Sequence, residues 1–220
     1  MNSHRAGHSG PRQRRDLTRG EIVAVATELL RDEGDGALTM RRLARACRVT
    51  PMAIYHHVED KDALLGMVMN HIILTALEPV LPGHQGWRDA LVETVTGFRD
   101  AFIANPGAGR VFARQAVVGP GTALMTERMF SHLHAGGLRG DAVAEATDAI
   151  TLLIMGSVVN ELTRPPQVRD KLVDQLAAED APHLRRYITT YSHRDPEARF
   201  RTALNWLLDG VERARDDADA

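Results

Sequence analysis

Apolar residues recur at the three- and four-residue spacing of α-helices along most of this chain. The first such stripe contains Ile22, Val25, Ala26, Leu29 and Leu30. These positions share one face of a helix. No stretch shows the period-two alternation that is typical of a half-buried strand. The sequence therefore predicts an all-α protein.

Four helices with recognisable starts are predicted between residues 18 and 79. The first begins with a capping box, in which Thr18 and Glu21 can satisfy each other's backbone amides. Thr39, Thr50 and Asp60 can cap the next three helices, because their side-chain oxygens accept hydrogen bonds from the free amides of a helix start. The third of these helices is short and is expected to end at about residue 58.

Downstream, the same spacing predicts seven further helices. Their expected bounds are 86–104, 107–117, 121–135, 140–163, 167–179, 182–192 and 195–215. Segments that contain glycine and proline separate them, and these residues interrupt helices.

Formal charge divides the chain into two unequal parts. Residues 1–58 contain ten Arg, no Lys and six acidic residues, a net charge of +4, whereas residues 59–220 have a net charge of −6. The overall value of −2 hides this division. A basic N-terminal part on an acidic body indicates that only the N-terminal part meets a polyanion. Nucleic acid is the first candidate, and an anionic membrane surface is the alternative.

The remaining composition excludes several classes of protein. The fractions of charged residues, 25%, and hydrophobic residues, 44%, are ordinary for a globular chain. No run approaches the ~18 apolar residues that a membrane-spanning helix needs, and the N-terminus has no apolar segment typical of a secretory signal. Cys47 is the only cysteine, which excludes an intrachain disulfide and a zinc site built from cysteines. We expect a cytoplasmic protein with no cofactor, no metal and no membrane partner.

A long helix, two short helices and another long helix, in this order, are typical of a helix-turn-helix. The second short helix reads Thr50-Pro51-Met52-Ala53-Ile54-Tyr55-His56-His57. Ile54 and Val58 are one turn apart and can face the core, whereas the tyrosine and the histidines lie on other faces. Such a helix gains little from its own core, so its outward side chains are suited to contact a partner. The alternative is a surface helix whose aromatic residues only shield apolar neighbours.

These helices closely resemble the TetR family of transcriptional regulators. The resemblance is carried by 34-GDGALTMRRLA-44 and 49-VTPMAIYHHVEDKDALL-65, in which the tyrosine, the histidine pair and Lys61 match the family signature. It covers about residues 17–77. The segment from Trp87 to about Glu161, with 87-WRDAL-91, more loosely resembles the effector domain of the tetracycline repressor subgroup.

The resemblance implies which side chains bind DNA. Phosphate contacts are expected from hydroxyl and cationic groups: Thr39, Arg41, Arg42, Thr50, Tyr55 and Lys61. Contacts with base edges are expected from Pro51, Met52, Ala53 and His56, with His57 as a further DNA-binding candidate. The N-terminal arm is expected to enter the adjacent minor groove through Arg12, Arg14 and Arg15.

One position departs from the family pattern. The turn between the second and third helices usually carries glycine, and here the corresponding residue is Arg48. A left-handed conformation at Arg48 would cost about 1 kcal/mol. Either the turn has a different geometry, or Arg48 tolerates the strain while its side chain reaches a phosphate.

Two helices near the C-terminus carry more apolar residues than one buried face requires. The helix predicted at 140–163 is apolar on most of its circumference, which indicates burial on more than one side. The resemblance implies that this helix and the last one form a four-helix bundle across a two-fold axis. The expected interface residues are Ile150, Leu153, Ile154, Val158, Leu204, Leu207, Leu208 and Val211. The alternative is that both helices are only intramolecular core.

Aromatic and methionine residues with sparse polar groups among them indicate a ligand site in the body. The expected ligand-binding residues are Thr94, Phe98, Phe102, Arg110, Phe112, Arg114, Gln115, Met125, Met129, His132 and Asn160. The alternative is that this stripe is ordinary core. Where the tetracycline repressors hold a metal-binding histidine and a nearby glutamate, this sequence has Phe112 and Asn160, with Glu161 as the other candidate for the glutamate. A metal–tetracycline chelate would lose its anchor, so we expect a different and more apolar effector.

The sequence therefore predicts a ligand-responsive transcriptional regulator, a repressor that a small molecule releases from a palindromic operator. Its expected parts are a flexible basic arm (1–16), a three-helix DNA-binding domain whose last helix leads into the body (17–77), and an effector-binding and dimerisation domain (78–220). Its expected partners are double-stranded operator DNA, a small molecule and a second copy of the chain. The alternatives are an activator of the same fold, a small all-α enzyme and a protein that binds membrane surfaces; the enzyme reading lacks any recognisable nucleophile motif.

Overall fold

The computed structural model describes residues 17–33, 36, 38–78, 86–114, 117–163, 171–175 and 179–218. Within these ranges the chain consists of helices joined by short turns and contains no strand. The prediction of an all-α protein is therefore confirmed. The arm predicted at residues 1–16 lies outside the described residues.

The N-terminal region consists of α1 (Arg19–Glu33), α2 (Met40–Ala46), α3 (Pro51–Tyr55) and α4 (Lys61–Leu77). Each helix begins at its predicted cap. Thr18 Oγ1 accepts from the Glu21 amide at 3.2 Å, and Glu21 Oε2 accepts from the Thr18 amide at 3.0 Å. Asp60 Oδ1 accepts from the Ala63 amide at 2.8 Å. Such caps satisfy amides that have no partner within the helix, and each contributes about 1 kcal/mol.

The body consists of α5 (Trp87–Ala104), α6 (Pro106–Phe112), α7 (Pro120–Ala135), α8 (Asp141–Thr163), α9 (Pro182–His193) and α10 (Pro196–Ala218), with a short 3₁₀ helix at Lys171–Gln175. Proline stands at the first position of α6, α7, α9 and α10. Proline is favourable there because its missing N–H would have no partner within the helix.

Two of the predicted helices differ from those observed. The helix predicted at 107–117 ends at Phe112, because the apolar residues that would extend it, Val117 and the 91% exposed Val118, are not buried with it. The α-helix predicted at 167–179 is wrong: its described part is the 3₁₀ helix, and the rest lies outside the described residues. The side chains of Lys171, Leu172 and Asp174 are exposed there, and a short helix without a buried face is marginal in water.

One cluster of buried apolar residues extends through the described structure, and α4 links its two parts. This helix contacts α1 of the N-terminal region and also α5, α6 and α7 of the body. Its buried side chains are Leu64, Leu65, Val68, Met69, Ile72, Ile73 and Leu77. Full burial of one such side chain contributes about 1.5–3 kcal/mol. The N-terminal region is therefore joined to the body by a packed helix.

Candidate nucleic-acid interface and effector site

Helices α2 and α3 form the predicted helix-turn-helix. Thr39 Oγ1 accepts from the amide of Arg42 at 3.2 Å, and Thr50 Oγ1 accepts from the amide of Ala53 at 3.3 Å. Both threonines have extended backbone, so the chain enters each helix from a sharp change of direction. These two caps define where the short helices begin.

The turn after α2 is a Schellman motif in which arginine occupies the position that glycine usually takes. Arg48 has φ of 59°, in the left-handed region. The Val49 amide donates to the Ala44 carbonyl at 2.9 Å, and the Arg48 amide donates to the Arg45 carbonyl at 3.1 Å. These bonds satisfy two carbonyls at the end of α2. The left-handed conformation at Arg48 is therefore confirmed, and phosphate contact by its exposed side chain stays a prediction.

Helix α3 is anchored by two residues and presents the rest outward. Ile54 is fully buried and Val58 is 3% exposed, as their spacing predicts. Met52 is 66% exposed and Tyr55 is 48% exposed, which are large fractions for apolar and aromatic side chains. Pro51 and His56 are also exposed, whereas Ala53 and His57 are half-buried. The side chains expected at base edges thus form the outer surface of this helix.

The first helix supports the end of α3 through a contact that the sequence did not reveal. Arg19 Nε donates to the carbonyl oxygen of His57 at 3.1 Å. The two residues are distant in sequence, and an arginine at a helix start is a common surface residue. Only the packing of α1 beside α3 brings them together.

The candidate phosphate contacts lie on exposed surface of the same region. Thr39, Thr50, Arg41, Arg42 and Lys61 are all exposed, and each stands at or next to the start of a helix. Helix starts have free amides and a partial positive charge, which favours phosphate. The arm residues Arg12, Arg14 and Arg15 lie outside the described part of the chain.

The three predicted aromatic residues of the body pack against one another. Phe102 and Phe112 are stacked with ring centroids 4.3 Å apart, and Phe98 meets them edge-on at 5.3 and 5.8 Å. Phe98 and Phe102 are buried and Phe112 is half-buried. Met125 and Met129 of α7 are each 3% exposed. These residues therefore belong to the core of the body.

A buried polar pair lies between α5 and α7. The Thr94 hydroxyl and His132 Nε2 share a hydrogen bond at 3.2 Å. Burial lowers the pKa of His132 below its usual value, and the nearby Arg128 guanidinium lowers the pKa further. Both causes disfavour the imidazolium, so the ring is neutral near pH 7 and can both donate and accept one hydrogen bond.

The other polar residues expected at the ligand site are more dispersed. Arg110 is half-buried on α6, and Arg114 is exposed beyond the end of that helix. Asn160 of α8 lines an open cleft of about 620 Å³ between α8 and the junction of α9 and α10. Gln115 lies outside the described residues.

The family is decided by profile comparisons that cover most of the chain. The profile of bacterial regulatory proteins of the tetR family matches residues 22–68, and that of the tetracyclin repressor-like C-terminal domain matches residues 78–215. The chain belongs to the TetR family. It is a DNA-binding transcriptional regulator, in a family of regulators and not of enzymes. Regulators of this family bind operator DNA and small molecules and act as dimers.

Individual TetR-family proteins match over nearly the full length. Tetracycline repressor protein class C of Escherichia coli is 28% identical over 208 residues, which cover 90% of this chain and 92% of that protein. Apo ActR from Streptomyces coelicolor superimposes with a TM-score of 0.82 at 26% identity, covering 92% of this chain and 98% of that chain. The complex of ActR with actinorhodin superimposes with a TM-score of 0.77 at 26% identity, covering 89% and 95%.

The residues expected at a TetR-family dimer interface fall into two groups. Ile150, Ile154, Val158, Leu204 and Leu208 are at most 2% exposed within the single chain. They pack in its core and have no surface to offer a partner, so the expected interface is revised at these five positions. Leu153, Leu207 and Val211 are half-buried and keep some exposed surface.

Other residues of α8 and α10 form the apolar outer surface. Leu152 and Trp206 are each 70% exposed. Sequence spacing marked the two helices correctly as too apolar for one face, but it could not show which apolar residues face outward. The helical register relative to α5 decides this, and the register is a property of tertiary packing.

Helix α8 is also the one helix among the described residues that is long and apolar enough to cross a membrane. This test considers only length and composition, and core helices of globular proteins pass it as well. Three of its residues, Ile150, Ile154 and Val158, lie in the core of the chain.

A buried arginine, which the sequence did not single out, joins three helices of the body. Arg99 of α5 is 2% exposed, and its Nε donates to Ser157 Oγ at 2.8 Å. The guanidinium also pairs with Glu161 and lies 5.1 Å from the ring centroid of Phe200. Glu161, the other candidate for the chelate-binding glutamate, is therefore engaged in a core ion pair. The only sequence signal was an arginine within an apolar stripe.

Proposed function

We propose that this protein is a homodimeric repressor that binds a palindromic operator and is released from it by a largely apolar small molecule. The exposed surface of α3 carries the proposal. A five-residue helix that is anchored by Ile54 and exposes Met52 and Tyr55 contributes little to a core, but it fits the major groove. Such a protein acts in the cytoplasm, where the DNA is.

On this proposal, the residues of the helix-turn-helix have two roles. Tyr55, Lys61 and the hydroxyls of Thr39 and Thr50 bind phosphates and fix the register, together with Arg41 and Arg42. Met52 and Ala53 contact thymine methyl groups, and His56 bonds to a base edge. Phosphate contacts support binding to every sequence, whereas base contacts select among sequences.

Dimerisation follows from the size of one DNA-reading unit. A single short helix buries too little surface for tight specific binding, so two copies with two-fold symmetry are needed. The exposed Leu152 and Trp206 on α8 and α10 are the apolar surface that a second copy would cover.

The aromatic cluster and the Thr94–His132 pair suggest the chemistry of the effector. Phe98, Phe102 and Phe112 offer ring faces and edges, and the neutral His132 offers one hydrogen bond. The rings pack on one another, so an effector that enters here must separate them. A flat aromatic compound can replace the ring contacts that it breaks. ActR, which binds actinorhodin, and the tetracycline repressors have effectors with fused rings.

DNA binding is tested with an operator selected by the wild-type protein from random DNA. We expect Tyr55→Phe and Tyr55→Ala to weaken binding to the operator and to unrelated DNA by a similar factor, with the smaller effect for phenylalanine. We expect Met52→Ala to change the preferred bases at defined positions. Leu74→Ala, an exposed residue of α4 on the body side, is the matched control. If Tyr55→Ala binds the operator as tightly as the wild type, the docking of α3 is wrong.

Release by an effector is tested with a thermal-shift screen of aromatic compounds that includes actinorhodin. A hit should lower operator affinity, and the operator should lower the affinity for the hit by the same factor, because the coupling is reciprocal. His132→Phe should remove this coupling and keep operator binding. A hit that binds equally well with and without operator would contradict the proposed release. In a promoter–reporter assay, higher expression without the protein indicates a repressor, and lower expression indicates an activator.

A further inference from the structure

Helices α4 and α7 touch through two polar contacts that have the same spacing on both helices. Residue 70 of α4 meets residue 121 of α7, and residue 77 meets residue 128, so both pairs are seven residues apart. Seven residues are about two helical turns. The two helices therefore run in the same direction, and the contacts fix their relative position at two levels.

The first contact is a cap supplied from another helix. Asn70 Oδ1 accepts from the Gly121 amide at 2.9 Å, while Asn70 Nδ2 donates to the Gly66 carbonyl of its own helix at 3.0 Å. Both halves of the carboxamide are thus bonded, and its orientation is fixed. The amide of Gly121 is one of those that a helix start leaves without an internal partner.

Two glycines allow the start of α7 to approach α4 this closely. A Cβ atom on Gly119 would lie 2.2 Å from Asn70 Nδ2, and one on Gly121 would lie 3.1 Å from the Asn70 carbonyl oxygen. No side chain fits at position 119 unless Asn70 moves. The contact is therefore sensitive to a single methyl group.

The second contact satisfies the other end of α4. Arg128 Nη1 donates to the carbonyl oxygen of Leu77, the last residue of α4, at 2.5 Å. A helix end has free carbonyls and a partial negative charge, so a guanidinium is favourable there. Arg128 is half-buried, and long flexible side chains that are held this way restrict the helix they touch.

We infer that Asn70 and Arg128 are positioning residues that set which spacing of operator half-sites the dimer accepts. The inference rests on the proposed dimeric, operator-binding function. Helix α4 carries the helix-turn-helix at one end and packs on the body at the other, so its angle against α7 fixes where α3 lies. The two copies of α3 must match half-sites about one DNA turn apart. A looser α4 still reads each half-site but tolerates a wrong distance between them.

The experiment measures affinity for the selected operator, for operators with the half-sites moved by one base pair, and for a single half-site. The wild type should prefer one spacing. Asn70→Ala, Arg128→Met and Gly119→Ala should each lower the ratio of affinities between correct and shifted spacing by about three- to tenfold, the range expected for loss of one hydrogen bond. Affinity for the single half-site should stay within about twofold.

Three variants serve as matched controls. Gly66→Ala adds a methyl group to the same helix where nothing lies within 4 Å, and Arg201→Met removes an exposed guanidinium from α10; both should keep the wild-type ratio. Arg128→Lys keeps a donor for Leu77 and should restore most of the preference. If Asn70→Ala fails to fold, the Arg128 pair of variants decides the matter.

A double variant tests whether the contact itself is responsible. The methyl group at 119 clashes with the Asn70 side chain, so Asn70→Ala with Gly119→Ala should behave like Asn70→Ala alone. Additive effects, or a wild-type ratio in the single variants, would overturn the inference and leave the proposed function standing. A wild-type protein that binds every spacing equally would overturn both.

Discussion

The N-terminal region is held in place by contacts between near neighbours in sequence, whereas the body is held by side chains that are far apart in sequence. Thr39, Thr50 and Asp60 each bond an amide three residues ahead. In the body, Phe102 stacks on Phe112 and Arg99 reaches Glu161 on another helix. A region that must expose its chemistry to DNA has little core to stabilise it, so it depends on caps and turns. The following predictions test this comparison, in order of decreasing effect.

The largest effect is expected from truncation in the body. Phe102→Ala should lower the free energy of unfolding by about 3–5 kcal/mol, because it removes a fully buried ring and leaves a cavity. Denaturant unfolding measures this value. Phe102→Leu, which keeps most of the volume, should lose less. A loss below about 1 kcal/mol for the alanine variant would show that the body does not depend on this cluster.

In the N-terminal region, removal of one cap should cost less. Asp60→Ala should lower the free energy of unfolding by about 1 kcal/mol, since the Ala63 amide loses its acceptor. Asp60→Asn keeps an acceptor and should stay near the wild type. Asp62→Ala, on the same first turn, is the control for loss of a carboxylate. Equal losses for Asp60→Asn and Asp60→Ala would mean that charge, and not capping, stabilises α4.

Relief of the turn strain should stabilise the protein by a smaller amount. Arg48→Gly should raise the free energy of unfolding by up to about 1 kcal/mol, because glycine adopts a φ of 59° without steric cost. Arg48→Ala removes the same guanidinium but keeps a Cβ atom, so it should not gain stability.

Both Arg48 variants should bind operator more weakly if the guanidinium meets a phosphate. The slope of the logarithm of affinity against the logarithm of salt concentration should then fall by about 0.9. An alanine variant as stable as the glycine variant would show that the turn stores no strain.

The smallest effect is a dependence of stability on pH through His132. Its pKa in the folded protein is lowered by burial and then by Arg128, so the unfolded chain binds more protons as the pH falls. The stabilising contribution is complete above the ordinary histidine value of 6.5 and is lost as the pH falls below it. Thermal unfolding between pH 7.5 and 5.5 should therefore show a steeper loss for the wild type than for His132→Gln. Identical profiles would show that the imidazole is not protected from protonation.

The sequence determined those parts of the structure whose physics is local. Caps at Thr18, Thr39, Thr50 and Asp60 bond amides within one turn, so letters a few residues apart were enough to place α1 to α4. The same holds for the outward surface of α3, which follows from the spacing of Ile54 and Val58. The strained turn at Arg48 could also be read locally, because a Schellman motif requires a left-handed residue at one position.

Tertiary structure decided which residues meet across the fold. Spacing showed that α8 and α10 have too many apolar residues for one face, but burial assigned Ile150, Ile154, Val158, Leu204 and Leu208 to the core and left Leu152 and Trp206 outside. The contacts of Arg99, of His132 and of Asn70 with Gly121 also join distant segments. A helix specifies which residues share a face, but the neighbour of that face depends on how all the helices pack.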